Sequence, residues 1–192
     1  MKFFFVHDYK HRFRFFSSEP VSQIQVNFSR LRKVWEEAKK RIMLFPPRVL
    51  RQEQAFRRTP GLQENKVTIV HPDTLSRKKA RLRFRFFLRR KKTSHILYLI
   101  GETFALPFTG LAGLMPGPNV FFGLNVLLII THWRGLRGIN RLLKKEYDFT
   151  PSFLLSEWEG ARKSKKEEDF PAIIERIEKE YSIENIRKIL WK

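Results

Sequence analysis

Residues 93–133 carry a single formal charge, that of Glu102, in a chain of 192 residues that is 30% charged. Such a block is suited to an environment other than water. It consists of two apolar runs, residues 96–114 and 120–131. Proline lacks a backbone donor and glycine adopts turn geometry, so the residues between the runs are expected to end one helix before the next begins. The predicted turn, residues 115–119, contains Pro116, Gly117, Pro118 and Asn119.

The lengths and flanks of the two runs favour a pair of transmembrane helices. As helices they would be roughly 28 Å and 24 Å long, against a hydrocarbon core of about 30 Å. Lys and Arg are frequent on both sides of the block, at residues 77–92 and 134–145, whereas the turn is uncharged. This distribution predicts a hairpin with both termini on the cytoplasmic or matrix side. Alternatively, runs of this length form buried helices in soluble proteins.

The net charge of +20 indicates an anionic partner. Residues 73–92 are predicted to form a polybasic helix, because they begin with a good capping residue and lack Gly and Pro, although residues 81–86 alternate as a strand would. Interleaved Phe and Arg would also suit nucleic acid. We favour anionic phospholipids over nucleic acid, since the segment adjoins the apolar hairpin. The residues predicted to contact lipid headgroups are Arg89, Arg90, Lys91, Lys92, Arg134 and Arg137.

The remaining patterns predict a small amount of sheet and several helices. Aromatic-rich runs at 2–6 and 11–16 indicate a β-hairpin, and residues 66–70 a further strand. Helices are predicted at 29–44 and 49–56, in a continuation of the second apolar run to Lys145, after Asp169, and after Ser182 as an N-cap. The fold class is therefore an α+β membrane protein. Its predicted segments are a small α+β domain (1–72), the polybasic juxtamembrane helix (73–92), the transmembrane hairpin (93–133) and a C-terminal helical segment (134–192).

Nothing in the sequence favours an enzyme. The chain has no Cys, which excludes thiolate metal sites and Cys nucleophiles, and its five His lack the spacing of metal ligands. It also lacks a phosphate-binding glycine loop and has no paired carboxylates near a predicted cleft. We therefore expect no catalytic residues, no cofactor and no metal.

Two short motifs resemble the centre of the mitochondrial K+–H+ exchange-related family. They are Pro-Gly-Pro-Asn-Val-Phe-Phe at 116–122 and His-Trp-Arg-Gly-Leu-Arg-Gly at 132–138. Gly135 and Arg137 stand where the family pattern has Ala and Lys, and the specific likeness covers residues 106–138. The resemblance implies a membrane protein that takes part in exchange of K+ for protons, in the bacterial cytoplasmic or mitochondrial inner membrane.

Transport would need a titratable group within the hairpin, and Glu102 is the candidate carboxylate. His132 is a second candidate for handling protons or ions. Alternatively, Glu102 is hydrated at the interface or pairs with Arg89 or His95 of a neighbouring chain, and His132 forms a local hydrogen bond. Because two helices cannot enclose a hydrated pathway, we expect a homo-oligomer or a membrane protein partner. A second hypothesis is a non-transporting anchor or wedge that shapes the bilayer or docks a soluble complex.

Overall fold

A computed structural model describes residues 2–18, 47–58, 66–111 and 120–191. Within them, four strands form one mixed sheet in the order β2-β1-β3-β4. The strands are β1 (Lys2–His7), β2 (Phe13–Ser17), β3 (Lys66–Pro72) and β4 (Glu146–Ser152). The helices are α1 (Pro47–Arg58), α2 (Arg77–Leu111), α3 (Val120–Lys144), α4 (Phe153–Lys163), α5 (Phe170–Tyr181) and α6 (Arg187–Leu190), with a 3-10 turn at Glu167–Asp169.

The first two strands form an antiparallel hairpin at one side of the sheet, with Phe5 opposite Phe15. Phe3, Phe4 and Phe5 are all fully buried, although successive strand residues point to opposite faces. A strand can bury consecutive apolar residues only when both faces of its sheet are covered. The uninterrupted run of aromatic residues thus reflects a sheet enclosed between two layers of helices.

Helices α1, α2 and α3 cover one face of the sheet and helices α4, α5 and α6 cover the other. Phe3 and Phe5 pack with Phe56 of α1 and Phe84 of α2 in the first core. Phe4 packs in the second core, which also contains Trp158 of α4 and apolar residues of α5 and α6. The sheet therefore divides the hydrophobic core into two parts.

The two long helices leave β3 and return to β4, which pairs parallel to β3 from Lys66 opposite Glu146 to Pro72 opposite Ser152. Parallel neighbours need a crossover connection, and α2 and α3 form it here. The helices pack on each other. No residue of α2 beyond His95 is buried, so the second half of α2 extends past the core.

Several predicted elements are confirmed. The β-hairpin, the strand β3, the helix α1 and the helical form of the polybasic segment all occur at the predicted places. Helix α3 continues to Lys144 and α5 begins at Phe170, as expected. The predicted helix at 29–44 and the turn residues Pro116, Gly117, Pro118 and Asn119 lie outside the described residues.

Two local predictions are wrong. Strand β4 lies within residues 134–192, which were predicted to be a helical segment; Pro151 is compatible with the strand because β4 is an edge strand. Ser182 does not begin a helix. It ends α5 in the left-handed conformation, with φ 52°, and its backbone N–H donates to the Glu178 carbonyl.

The predicted transmembrane hairpin is also wrong. Among residues 2–18, 47–58, 66–111 and 120–191, no helix is both long and apolar enough to cross a membrane. We had judged the two runs by their lack of formal charge. Helix α2 contains Glu102, Pro107 and two threonines in its apolar half, and its first half is strongly basic. Helix α3 contains Asn125 and His132, so uncharged polar residues lower the hydropathy of both helices.

Candidate functional site: a polar chain between three helices

Four side chains that bear titratable groups form a continuous polar chain between α1, α2 and α3. Glu53 Oε1 lies 3.4 Å from His95 Nε2. His95 Nδ1 is 3.0 Å from His132 Nδ1, and His132 Nε2 is 3.2 Å from Glu102 Oε1. We refer to Glu53, His95, His132 and Glu102 as the polar chain. It lies where α2 leaves the hydrophobic core.

Helix geometry brings these groups together. His95 and Glu102 are separated by two turns of α2 and therefore lie on the same face. His132 comes from the facing helix α3 and lies between them, and Tyr98 stacks on its ring with the centroids 5.0 Å apart. The side chain of His95 is 3% exposed and that of Glu102 is 14% exposed. The polar chain thus has its most buried member, His95, in the middle, and Glu53 at its other end is also 14% exposed.

Gly135 leaves room for two side chains of the polar chain, those of His95 and Glu53. A Cβ atom at this position would lie 2.8 Å from His95 Cε1 and 3.1 Å from Glu53 Oε2. Both distances are shorter than side-chain packing normally permits, so the His95 ring would have to move. The pattern of the family that this chain resembles has Ala at the position of Gly135. The glycine is thus a departure from that pattern, and it lies where the helix contacts the polar chain.

Asn125 fixes the outer part of the site. Its side-chain amide donates to the backbone carbonyl of Glu102 at 3.0 Å and to Thr109 Oγ1 at 3.3 Å. Pro107 lacks an N–H and cannot donate to the preceding turn of α2. Asn125, itself buried, therefore ties α3 to the part of α2 in which the helical hydrogen bonding is interrupted.

Burial changes the acidity of Glu102. Loss of hydration raises the pKa of this carboxyl to about 7, and the positive charge of His95 opposes the rise. Its Oε2 atom is buried and accepts no hydrogen bond from the described residues. A carboxyl with this pKa is neutral below pH 7 and becomes charged as the pH rises through 7, so Glu102 exchanges its proton near neutrality.

The three contacts of the polar chain can be assigned hydrogens. Each contact needs one hydrogen between its two atoms, so the polar chain holds three. With both carboxyls ionised, all three belong to the two imidazoles, and one of these is then an imidazolium. Alternatively, a protonated Glu102 donates to His132, and His132 can then pass a hydrogen towards His95. The arrangement can therefore take up a proton at the Glu102 end and redistribute protons along the polar chain.

The structure brings two of the residues predicted from the sequence into contact and leaves the others apart from them. Glu102 and His132 are in contact, whereas their part in handling protons or ions stays a prediction. Glu53 was not predicted, because nothing in the sequence of its helix indicates that its carboxylate contacts His95. His95 was considered only as a partner from a neighbouring chain, and its spacing from Glu102 along α2 was the available signal. The predicted lipid ligands Arg89, Arg90, Arg134 and Arg137 are exposed, and Lys91 and Lys92 are half-buried.

Among the residues that the structure describes, no group of three or more His, Asp or Glu side chains is arranged to hold a metal ion. In the polar chain each histidine contacts the other histidine and one carboxyl.

Comparison with known proteins identifies a family. The family model described as mitochondrial K+–H+ exchange-related matches residues 7–145, which include the whole polar chain. No curated protein and no solved structure matches the sequence.

Proposed function

Because the chain belongs to the mitochondrial K+–H+ exchange-related family, we propose that it takes part in exchange of K+ for protons, with Glu102 as the exchanging carboxyl. The family's description associates the chain with mitochondria and suits a non-enzymatic role. The observation that carries the proposal is the contact between Glu102 and His132 at 3.2 Å, at one end of the polar chain. We also propose the mitochondrial inner membrane as the place where the protein acts.

The chemistry of Glu102 supports competition between a proton and a monovalent cation. Its carboxyl has a pKa raised to about 7 by burial, so the anion is poorly solvated. A K+ ion beside the carboxylate would favour the ionised form and lower the pKa. His132 contacts this carboxyl, and the positive charge of His95 only partly offsets the effect of burial on its pKa. Binding of K+ is therefore expected to release a proton.

The proposal includes an assembly. The packed pair α2 and α3 cannot by itself enclose a hydrated ion pathway. Large apolar side chains lie exposed on both helices, including Phe104, Phe108 and Phe121. Such side chains suit contact with a second copy or a membrane protein. We therefore propose that the protein acts as an oligomer or as an accessory subunit.

Release of protons on addition of K+ tests the role of Glu102. We expect wild-type protein in weakly buffered solution at pH 7 to release protons when KCl is added, beyond the release caused by choline chloride at the same ionic strength. The Glu102→Gln variant should lose this K+-specific release, because it has no ionisable carboxyl at the end of the polar chain. Titration with a pH electrode measures both.

The matched control is Glu175→Gln, which removes an exposed carboxyl on α5, on the opposite side of the sheet. This variant should release protons as the wild type does, and circular dichroism should show that both variants are folded. Absence of K+-specific release from the wild type, or equal release from the Glu102→Gln variant, would rule out Glu102 as the exchanging group.

A second candidate function is a membrane anchor or wedge, supported by the exposed apolar side chains of α2. Phe104 and Phe108 are each 73% exposed, and they share a face because they are one helical turn apart. The first half of the same helix carries ten Lys and Arg residues and no acid. Apolar residues next to a basic segment suit the surface of an anionic bilayer, where rings enter the acyl boundary and cations remain among the headgroups.

Flotation with lipid vesicles tests this second function. We expect the wild type to bind vesicles of phosphatidylcholine and phosphatidylglycerol. The double variant Phe104→Ser, Phe108→Ser should bind at least roughly tenfold less tightly, since each buried phenyl ring contributes about 1.5–3 kcal/mol. The control is Phe153→Ser, because Phe153 is 71% exposed but lies on α4. Equal losses in the two variants, or no binding by the wild type, would exclude the α2 face as the anchor.

A further inference from the structure

A large groove lies between α2 and the β1–β2 hairpin, and none of the four residues of the polar chain lines it. Its volume is about 910 Å³, and it is open to solvent along one side. This volume is in the range of small-molecule sites. The cationic side chains that line it are Arg12, Arg14, Arg83, Arg90 and Lys91. We call this region the cationic groove.

Positive charge in the cationic groove is only partly compensated. Asp8 neutralises Arg14, with Oδ2 accepting from Nε at 2.8 Å and from Nη2 at 2.6 Å. Arg83 lies over the ring of Phe13, 6.0 Å from its centroid. No acidic side chain lines the groove. Walls of one charge sign around a concave surface concentrate a positive potential there.

Lys91 reports this potential. Its pKa is lowered first by burial, and the positive charges of Arg14, Arg90 and Arg12 lower it further, while Glu53 acts in the opposite direction. Like charges are thus close enough to repel the ammonium group. A bound anion would remove this repulsion, and no acid of the described residues occupies that position in the groove.

Apolar side chains of α2 line the cationic groove beside its cations. Phe86 is 70% exposed and Leu82 is 68% exposed, and they are adjacent on α2 at a spacing of four residues. Arg83 and Arg90 border the same strip of the helix. A ligand that fits this lining has a multiply charged anionic group next to an apolar part.

We propose that the cationic groove binds a phosphate group, carried by a free phosphorylated compound or by a phospholipid headgroup. Arginine presents a planar set of donors that matches phosphate oxygens in pairs. Several cations from two structural elements suit a group of charge −2 better than a single carboxylate. Of the four consecutive basic residues 89–92, Arg90 and Lys91 line the groove, whereas Arg89 and Lys92 do not.

This separation provides a matched pair of variants. The double variant Arg90→Ala, Lys91→Ala removes two positive charges from the groove. The double variant Arg89→Ala, Lys92→Ala removes the same charge from the same two turns of α2 but outside the groove. A long-range effect of net charge would be equal in the two, whereas binding in the groove affects only the first.

The probes are inorganic pyrophosphate, measured by calorimetry, and vesicles of phosphatidylcholine with phosphatidic acid, measured by flotation. We expect the Arg90→Ala, Lys91→Ala variant to bind at least one probe about tenfold or more weakly, as loss of charge-assisted hydrogen bonds predicts. The Arg89→Ala, Lys92→Ala variant should stay within about threefold of the wild type, as expected for exposed charges. Vesicles of phosphatidylcholine alone serve as the blank.

The two probes distinguish the sources of the phosphate. A selective loss confined to pyrophosphate identifies a free phosphorylated ligand, and a selective loss confined to phosphatidic acid vesicles identifies a headgroup. Circular dichroism checks folding, and Arg83→Gln, an exposed change in the same groove, replaces the double variant if that does not fold. Equal weakening by both double variants, or no binding of either probe by the wild type, would overturn the proposal.

Discussion

Replacement of Gly138 by alanine is expected to destabilise the fold by about 3 kcal/mol or more. An added Cβ would lie 1.7 Å from the backbone oxygen of Phe56 and 2.6 Å from its carbonyl carbon. The obstacle is main chain and cannot rotate away, so α1 would have to move from α3. Alanine stabilises a helix interior by up to about 1 kcal/mol relative to glycine, which is too little to compensate. Chemical denaturation measures the loss.

The control for Gly138 is Gly101→Ala in α2, where no atom lies within 4 Å of the added Cβ. We expect that variant to gain about 0.5–1 kcal/mol in unfolding free energy, from helix propensity alone. Displacement of α1 would also carry Glu53 away from His95. Wild-type stability in the Gly138→Ala variant would show that the two helices are not held at this distance in solution.

Removal of Asp8 is expected to cost about 3 kcal/mol, the second large effect. Its fully buried carboxylate accepts two hydrogen bonds from Arg14 and a third from the backbone N–H of Arg12 at 2.9 Å. The Asp8→Ala change leaves the Arg14 guanidinium, which is itself buried, without its counter-charge. An uncompensated buried charge is more costly than the pair is favourable. The midpoint of unfolding in urea should fall accordingly.

An exposed ion pair provides the comparison for Asp8. Asp148 accepts from Arg77 at 3.0 Å, and both side chains are well exposed. Solvent screens this pair, so Asp148→Ala should cost less than about 1 kcal/mol. Similar losses in the Asp8→Ala and Asp148→Ala variants would contradict the buried position of the Asp8–Arg14 pair.

Sequence patterns predicted the elements that depend on neighbouring residues. The paired strands β1 and β2, the strand β3 and the helical form of residues 77–92 all follow from local periodicity and turn residues. Strand β4 was missed, although its alternation of polar and aromatic residues at 146–149 is typical of a half-buried strand. Its pairing has no local signal, because the partner β3 lies about 80 residues earlier in the chain.

The transmembrane prediction shows a different limit. A lack of formal charge in residues 93–133 was interpreted as suitability for lipid, and the described helices do not have the required length and hydropathy together. The run does contain side chains that remain exposed, such as Phe104 and Phe108. A lack of charge shows that a segment is apolar. It does not show whether lipid, a partner or the rest of the chain covers that segment.

The sequence by itself determined which segments are apolar, which are basic, and that Glu102 is the lone charge among residues 93–133. Only the tertiary structure decided that His132 contacts this carboxyl and is linked through His95 to Glu53. It also decided that Arg90 and Lys91 line a groove while Arg89 and Lys92 do not. The physical reason is that hydropathy and charge are properties of single residues. Burial, pKa and hydrogen bonding instead depend on the neighbours that folding brings from distant parts of the chain.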